Sequence, residues 1–242
     1  MSEVSANLVY HFTKSFDTVL SILDHGFFPV TSKEDTSIVR PAHEGKPERF
    51  IGIPMVCFTD IPIQLSSEHR AEYGCYGLGL NKEWAKSNKI GPVFYMINGS
   101  ASWEAYNHMQ AVVVDMMQEA KCSQSNKDKV VSSLIELAGY IKPYAEEGRE
   151  KTFYDEREWR YVPPFQDIPD YCNWLLPNML DINEEKEKLN RKMRERYAVK
   201  FSESDLEKII VPRCEDLGII ARKLYSVKRL DPEALIRKIE YV

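Results

Sequence analysis

Apolar and polar positions follow two rhythms along this chain, one of period two and one of period 3.6. Leu8-Val9-Tyr10-His11-Phe12-Thr13 is a short apolar run that predicts a first strand. Phe16, Val19, Leu20 and Leu23 then recur at helical spacing, with Ser15 placed to cap the start and Gly26 to stop the end. From residue 31 to residue 50 the pattern gives way to polar positions with Pro41, Gly45 and Pro47. That predicts a long loop, of the kind that serves as a lid or binding loop. Residues 54–62 predict a second strand bounded by prolines, and residues 66–72 a short helix. Residues 73–80 read as a strand carrying three glycines, 81–88 as a short helix or turn, and 91–97 as a further strand.

The second half is more helical. Ser102 can open a long helix through Trp103, Tyr106, Val113, Met117 and Ala120. A second helix over 125–140 points Val130, Val131, Leu134, Leu137 and Ala138 inward, and Pro143 stops it. The pair predicts a helical hairpin inserted between strands. Residues 153–163 are rich in aromatic residues and dense in charge, and read as a strand ended by Pro163 and Pro164. Residues 167–177 are irregular. Residues 181–197 predict a solvated helix, with Glu184/Lys188 and Glu187/Arg191 four apart. Ser202-x-x-Asp205 is a capping-box pattern leading to a short strand at 209–211. A helix follows at 215–225, and Asp231-Pro232 starts the last one. The implied class is α+β, a mixed or antiparallel sheet with helices gathered at one side. A single domain over 1–242 is expected, with the sheet core at 1–100 and 150–165, a helical insertion at 101–148, and a helical C-terminal part at 178–242.

Composition narrows the function. The net charge of -5 gives no nucleic-acid footprint over the whole molecule. Cys57, Cys75, Cys122, Cys172 and Cys214 are odd in number and form no CxxC pair. No zinc site, no other metal and no disulfide framework is expected, and a reducing cytoplasm is the natural setting. Residues 1–7 lack the apolar core of a signal peptide. No apolar run approaches the ~20 residues of a membrane span. There is no Walker A loop, GxSxG, HExxH or GxGxxG.

The densest chemistry lies in Glu156-Arg157-Glu158-Trp159-Arg160. On a strand, Glu156, Glu158 and Arg160 share one face, and Arg157, Trp159 and Tyr161 the other. Two carboxylates and a guanidinium on one face are either a surface ion-pair row or a reaction centre. His11 reads first as a histidine satisfied at a strand edge, and second as a ligand-binding residue with Thr13 on the same face. Tyr73 and Tyr76 stand among Gly74, Gly77 and Gly79, as core tyrosines or as a stacking platform for an aromatic ring. His69 reads as a surface helix residue and Cys57 as a buried structural thiol.

The ordered set Tyr-His-Phe-Thr, His-Gly-Phe, Met-Val-Cys-Phe-Thr-Asp-Ile-Pro, Tyr-Gly-x-Tyr-Gly-Leu-Gly-Leu, Pro-Val-x-Tyr and Glu-Arg-Glu-Trp-Arg-Tyr-Val-Pro resembles the AbiGi-type abortive-infection proteins of bacteria. The resemblance runs to Pro163, and Asp205-Leu206-x-x-Ile209-Ile210-Val211-Pro212 fits it as well. It implies a role in phage defence, labelled antitoxin, with a cognate toxin or another defence-system protein as partner. A looser resemblance is to ADP-ribosyltransferase-like folds, including the DNA-modifying DarT type. That second resemblance implies NAD as substrate, with His11 and Thr13 at its adenosine ribose and Tyr73 or Tyr76 stacked on nicotinamide. It places Glu158 at the nicotinamide ribose, and Arg160 or Arg157 at the pyrophosphate. Glu156-x-Glu158 is similar to the Glu-x-Glu of arginine-modifying members. The loop over 31–50 would close the site, and the acceptor would be nucleic acid or protein. The helical insertion between the tyrosines and Glu158 departs from that pattern.

Three functions follow as expectations. The chain is an NAD-consuming transferase of phage defence, or a non-catalytic antitoxin whose helical insertion grips a toxin. A nucleic-acid-binding regulator is the third, and the acidic balance counts against it. His11, a tyrosine and Glu158 in one cleft would favour the enzyme. Glu158 buried against Arg160 with no cleft would favour the binding protein.

Overall fold

Leu8–Thr13 (β1) lies at the middle of an eight-stranded sheet. The computed structural model describes residues 5–35, 50–118, 123–146, 152–164 and 183–242. Phe16–His25 (α1) follows β1, and the Ser15 side chain accepts a hydrogen bond from the Asp17 N–H as its cap. Gly26 ends the helix at φ 90°, a left-handed conformation that suits glycine.

Val30–Asp35 (β2) pairs antiparallel with the first half of Phe50–Thr59 (β3). The long loop expected from residue 31 therefore begins as a strand, and its residues 36–49 lie outside the described ones. The polar sequence of β2 misled the reading because cross-strand hydrogen bonds need no apolar side chains. β3 also runs straight through Pro54. There β2 is its one described strand neighbour, the edge-like setting in which a proline fits.

Ser67–Tyr73 (α2) leads to Tyr76–Asn81 (β4) and Lys82–Ser87 (α3). Tyr73 thus closes a helix and is not part of the glycine strand. The strand expected over 91–97 divides into Gly91–Pro92 (β5) and Phe94–Met96 (β6), which join different sheets. Ala101–Gln118 (α4) and Gln124–Gly139 (α5) pack on each other, and Ile141–Pro143 (β7) pairs with β6 in parallel. The helical insertion is thus bracketed by its own two-stranded sheet.

Glu158–Tyr161 (β8) returns to the main sheet. Asn183–Arg196 (α6), Leu206–Val211 (β9), Leu217–Leu224 (α7), Pro232–Ile236 (α8) and Ile239–Tyr241 (β10) complete the chain. The expected irregular stretch 167–177 lies outside the described residues. The C-terminal part is not simply helical, because β9 pairs with β4 and carries β10 parallel to it at the sheet edge. Ser202 and Asp205 form their capping-box bonds, Oγ and N–H to the carboxylate, yet close a turn before β9 instead of starting a helix.

The main sheet order is β10-β9-β4-β1-β3-β8-β5, with β2 alongside β3. Its strands are antiparallel except for the β9–β10 pair. One face carries Val9, Val56, Phe58, Leu78, Leu80, Ile209 and Val211 against α1, α3, α7 and α8. Each fully buried side chain of this kind contributes about 1.5–3 kcal/mol. Trp159 and Tyr161 pack against the same cluster, as expected of the apolar side of β8. On the other face Tyr10, Phe12, Ile210 and Ile63 form a smaller cluster. The candidate site shares that second face.

Candidate functional site

Glu156 and Glu158 reach one recess by different routes. Phe153–Glu156 is a 3-10 turn, not a strand. Arg157 follows in a left-handed conformation, φ 45° and ψ 49°, and redirects the chain into β8. Strand alternation therefore accounts for Glu158 and Arg160 but not for Glu156. The turn nonetheless brings the two carboxylates together over Lys142 of β7. The Lys142 Nζ lies 2.6 Å from Glu156 Oε2 and 2.8 Å from Glu158 Oε2.

Arg160 is 1% exposed and each of its nitrogens is engaged. Nε donates to Glu158 Oε1 at 2.6 Å and Nη2 to Glu158 Oε2 at 3.1 Å, a two-pronged pairing. Nη2 also meets Glu34 Oε2 at 2.6 Å, and Nη1 donates to the Gly139 carbonyl at 3.0 Å. Burial alone would raise the Glu158 pKa, but the Arg160 and Lys142 cations outweigh it and hold the carboxyl well below the usual range. Lys142 is the mirror case. Burial would lower it, and Glu158 with Glu156 holds it above the ordinary lysine value.

Ser32, Glu34, His69, Tyr73 and the two glutamates border a recess of about 180 Å³. The Tyr73 hydroxyl donates to Glu156 Oε1 at 3.1 Å, and burial plus the Glu156 charge push its pKa up. The His69 ring lies 4.5 Å from the Tyr73 ring, and burial lowers its pKa against the pull of Glu156. His69 thus belongs to the recess and not to a plain surface helix. Cys57 pairs with Arg160 across β3 and β8. Burial and the Glu158 charge push its thiol up, in keeping with a structural thiol. Gly74, at φ 124°, lets α2 turn into β4, where an added Cβ would lie 2.1 Å from the Thr13 carbonyl carbon.

His11 lines the same recess from β1, but its ring is hydrogen-bonded to the backbone and not to the carboxylates. Tyr10 is paired with Thr59, and Thr59 with Glu158, so these three side chains share one face. His11, the next residue on β1, is not part of that rung. Its ring packs edge-on at 5.3 Å from Phe27 and 5.7 Å from Phe58, where the core meets the recess. Its Nδ1–H donates to the Cys57 carbonyl at 2.8 Å, and burial lowers its pKa. Thr13 and its cross-strand partner Tyr76 share the His11 face, with the Tyr76 ring 5.7 Å from Phe16.

The glycines of β4 do not form a stacking platform for a ligand. A Cβ on Gly77 would lie 2.8 Å from the Phe12 ring, and one on Gly79 2.8 Å from the Tyr10 ring. The chain's own aromatic rings fill that space.

The residues expected around one NAD molecule therefore divide into two sets. His11, Tyr73, Glu156 and Glu158 line the recess, while Thr13 and Tyr76 do not and Arg160 is buried against Glu158. Arg160 is spent on carboxylates and a carbonyl, so it does not present itself to a pyrophosphate. The recess is also smaller than the roughly 300–1,000 Å³ of ordinary ligand pockets. At this volume, and with Thr13, Tyr76 and Arg160 off its lining, the recess does not enclose a whole NAD. Among the described residues no group of three or more His, Cys, Asp or Glu is placed to hold a metal ion. No described helix is long and apolar enough to cross a membrane.

Lys142, Glu34 and Tyr95 escaped the sequence reading, although all three touch the cluster. The Tyr95 hydroxyl accepts the Glu158 N–H at 2.8 Å. Lys142 had one visible signal, a lone cation between Ile141 and Pro143 where the helix pattern stops.

Comparison with known proteins gives the lineage. The family profile described as "Putative abortive phage resistance protein AbiGi, antitoxin" matches residues 25–212. The "Abortive phage resistance protein AbiGi" of Lactococcus lactis subsp. cremoris is 28% identical over 239 residues, covering 88% of this chain and 95% of that protein. No solved structure matches the chain. The profile spans most of the sheet, the helical insertion and the Glu156–Glu158 cluster, and the chain belongs to the AbiGi family.

Proposed function

We propose that this chain serves an abortive phage resistance system as its antitoxin-like member, acting by binding a protein partner and not by consuming NAD. The relative's name and the family description support the setting. One observation carries the choice of mechanism. Both oxygens of Glu158 are held by Arg160 and Lys142 inside the fold, at a recess of only about 180 Å³. A carboxylate that stabilises an oxocarbenium ion must face its substrate. This one faces two cations and serves the architecture. The ADP-ribosyltransferase-like reading of the sheet would supply ancestry in this scheme, and no turnover.

The partner surface in this reading is the helical insertion. Met109 and Val112 of α4 are 48% and 57% exposed and lie three residues apart, on one side of the helix. Methionine adapts to varied partner surfaces.

The test is co-expression with the protein encoded beside its gene. The expected result is a stable complex by size exclusion with light scattering, loss of the neighbour's toxicity, and no nicotinamide release from NAD. Nicotinamide release that disappears in a folded Glu158→Gln variant would overturn the reading.

A further inference from the structure

The helical insertion has its own small core. Met96, Tyr106, Ala138 and Ile141 pack together with Trp103 and Leu134, and none of these belongs to the cluster under the main sheet. The insertion is fastened at one end, where a Tyr95–Tyr154 ring contact at 5.4 Å accompanies a set of polar bonds. Lys142 bridges Glu156 and Glu158. Tyr95 accepts the Glu158 N–H, and Arg160 reaches the Gly139 carbonyl at the end of α5. The Tyr140 hydroxyl accepts the Val162 N–H at 3.2 Å. An apolar interface is non-directional and tolerates sliding, whereas an ionic one holds a single geometry and fails when one charge is removed.

From this arrangement we infer that β6, α4, α5 and β7 form an arm that undocks from the sheet as a unit, with Lys142 on Glu156 and Glu158 as the clasp that holds it down. The clasp sits at the wall of the recess. A cationic group entering there competes with Lys142 for the same two carboxylates. Occupation of the recess and release of the arm are thereby coupled. The inference does not depend on the arm being the partner surface. It concerns how the arm is held, whichever molecule it meets.

Regions that open locally exchange their amides at free energies below that of global unfolding. Hydrogen exchange followed by mass spectrometry on the purified chain tests the arm directly. In the native protein, amides of α4 and α5 are expected to exchange together, and at least about tenfold faster than those of β1, β4 and β9. Lys142→Met should speed exchange of α4 and α5 by about a further tenfold and keep it faster than that of β1, β4 and β9. Lys142→Arg, which keeps the charge, should restore most of the protection. Two results would overturn the inference. One is an arm that exchanges in step with the sheet in the native protein, a reading that needs no variant. The other is a folded Lys142→Met protein whose arm is as protected as before.

Discussion

The His11 imidazole and the Glu158 carboxylate border one recess without sharing a rung of the sheet, because Tyr10 and not His11 is paired with Thr59 opposite Glu158. The His11 ring sits half-buried against Phe27 and Phe58, where the core meets the recess. Burial depresses its pKa, so the folded chain resists a proton that the unfolded chain accepts. An unfolded histidine titrates near about 6.5. Stability is then fully present above that value and falls as the pH drops from about 7 towards 5, at no more than about 1.4 kcal/mol per pH unit for each such group. His69 shifts in the same direction. Urea titrations across that window should show the fall, and His11→Gln should flatten it more than His69→Gln. A pH-independent midpoint for the native protein would refute the assignment.

Gly79 is required by its neighbour across the sheet. An added Cβ would meet the Tyr10 ring at 2.8 Å, and the ring is itself buried. Gly79→Ala should cost about 1–3 kcal/mol, the range for overpacking a filled core. Replacing Tyr10 with leucine in the same chain should recover part of that loss. Equal stability of Gly79→Ala and the native protein in urea would show that the ring moves aside freely.

Arg160 exemplifies a guanidinium that lysine cannot replace. Its three nitrogens serve Glu158, Glu34 and the Gly139 carbonyl at once. One ammonium on a flexible stem cannot span those three directions. Arg160→Lys should lose about 2–3 kcal/mol, the worth of one or two hydrogen bonds to charged groups. Chemical denaturation of the two proteins at neutral pH gives the figure directly.

The elements that local pattern controls were legible. Ser15, Gly26 and the 3.6 spacing between them fix α1, and Asn81 and Asp231 cap short helices where their residue types suggest. What escaped were pairings between distant segments. β2 is polar and takes its strand form from β3, and β10 from β9. At the site, Glu156 joins from a turn, while the shared face of Glu158 and Arg160 could be read from alternation. The left-handed Arg157 could not, since nothing local marks it. Lys142 arrives from the far side of the helical insertion. Sequence order placed His11 upstream of Glu158, and both border the recess, but order carries no information on the partner a ring takes, here the Cys57 carbonyl.

Glu158 shows what a buried, paired carboxylate does as acid is added. Its pKa is held low by Arg160 and Lys142 against the opposing effect of burial. An unfolded glutamate titrates near about 4.3. The stabilisation is thus complete above that value and is lost as the pH falls below it, because the unfolded chain takes up the proton first. Glu158→Gln removes the charge at every pH and leaves Arg160 and Lys142 short of a counter-charge in the interior. Breaking one partner of a buried pair costs about 3–5 kcal/mol. Urea denaturation at about pH 7 should show that loss. Between about pH 4.5 and pH 3 the native chain should converge on the variant, its stability falling more steeply. A gap that stays constant down to the lowest pH at which both remain folded would mean that the Glu158 carboxylate is not held by the two cations.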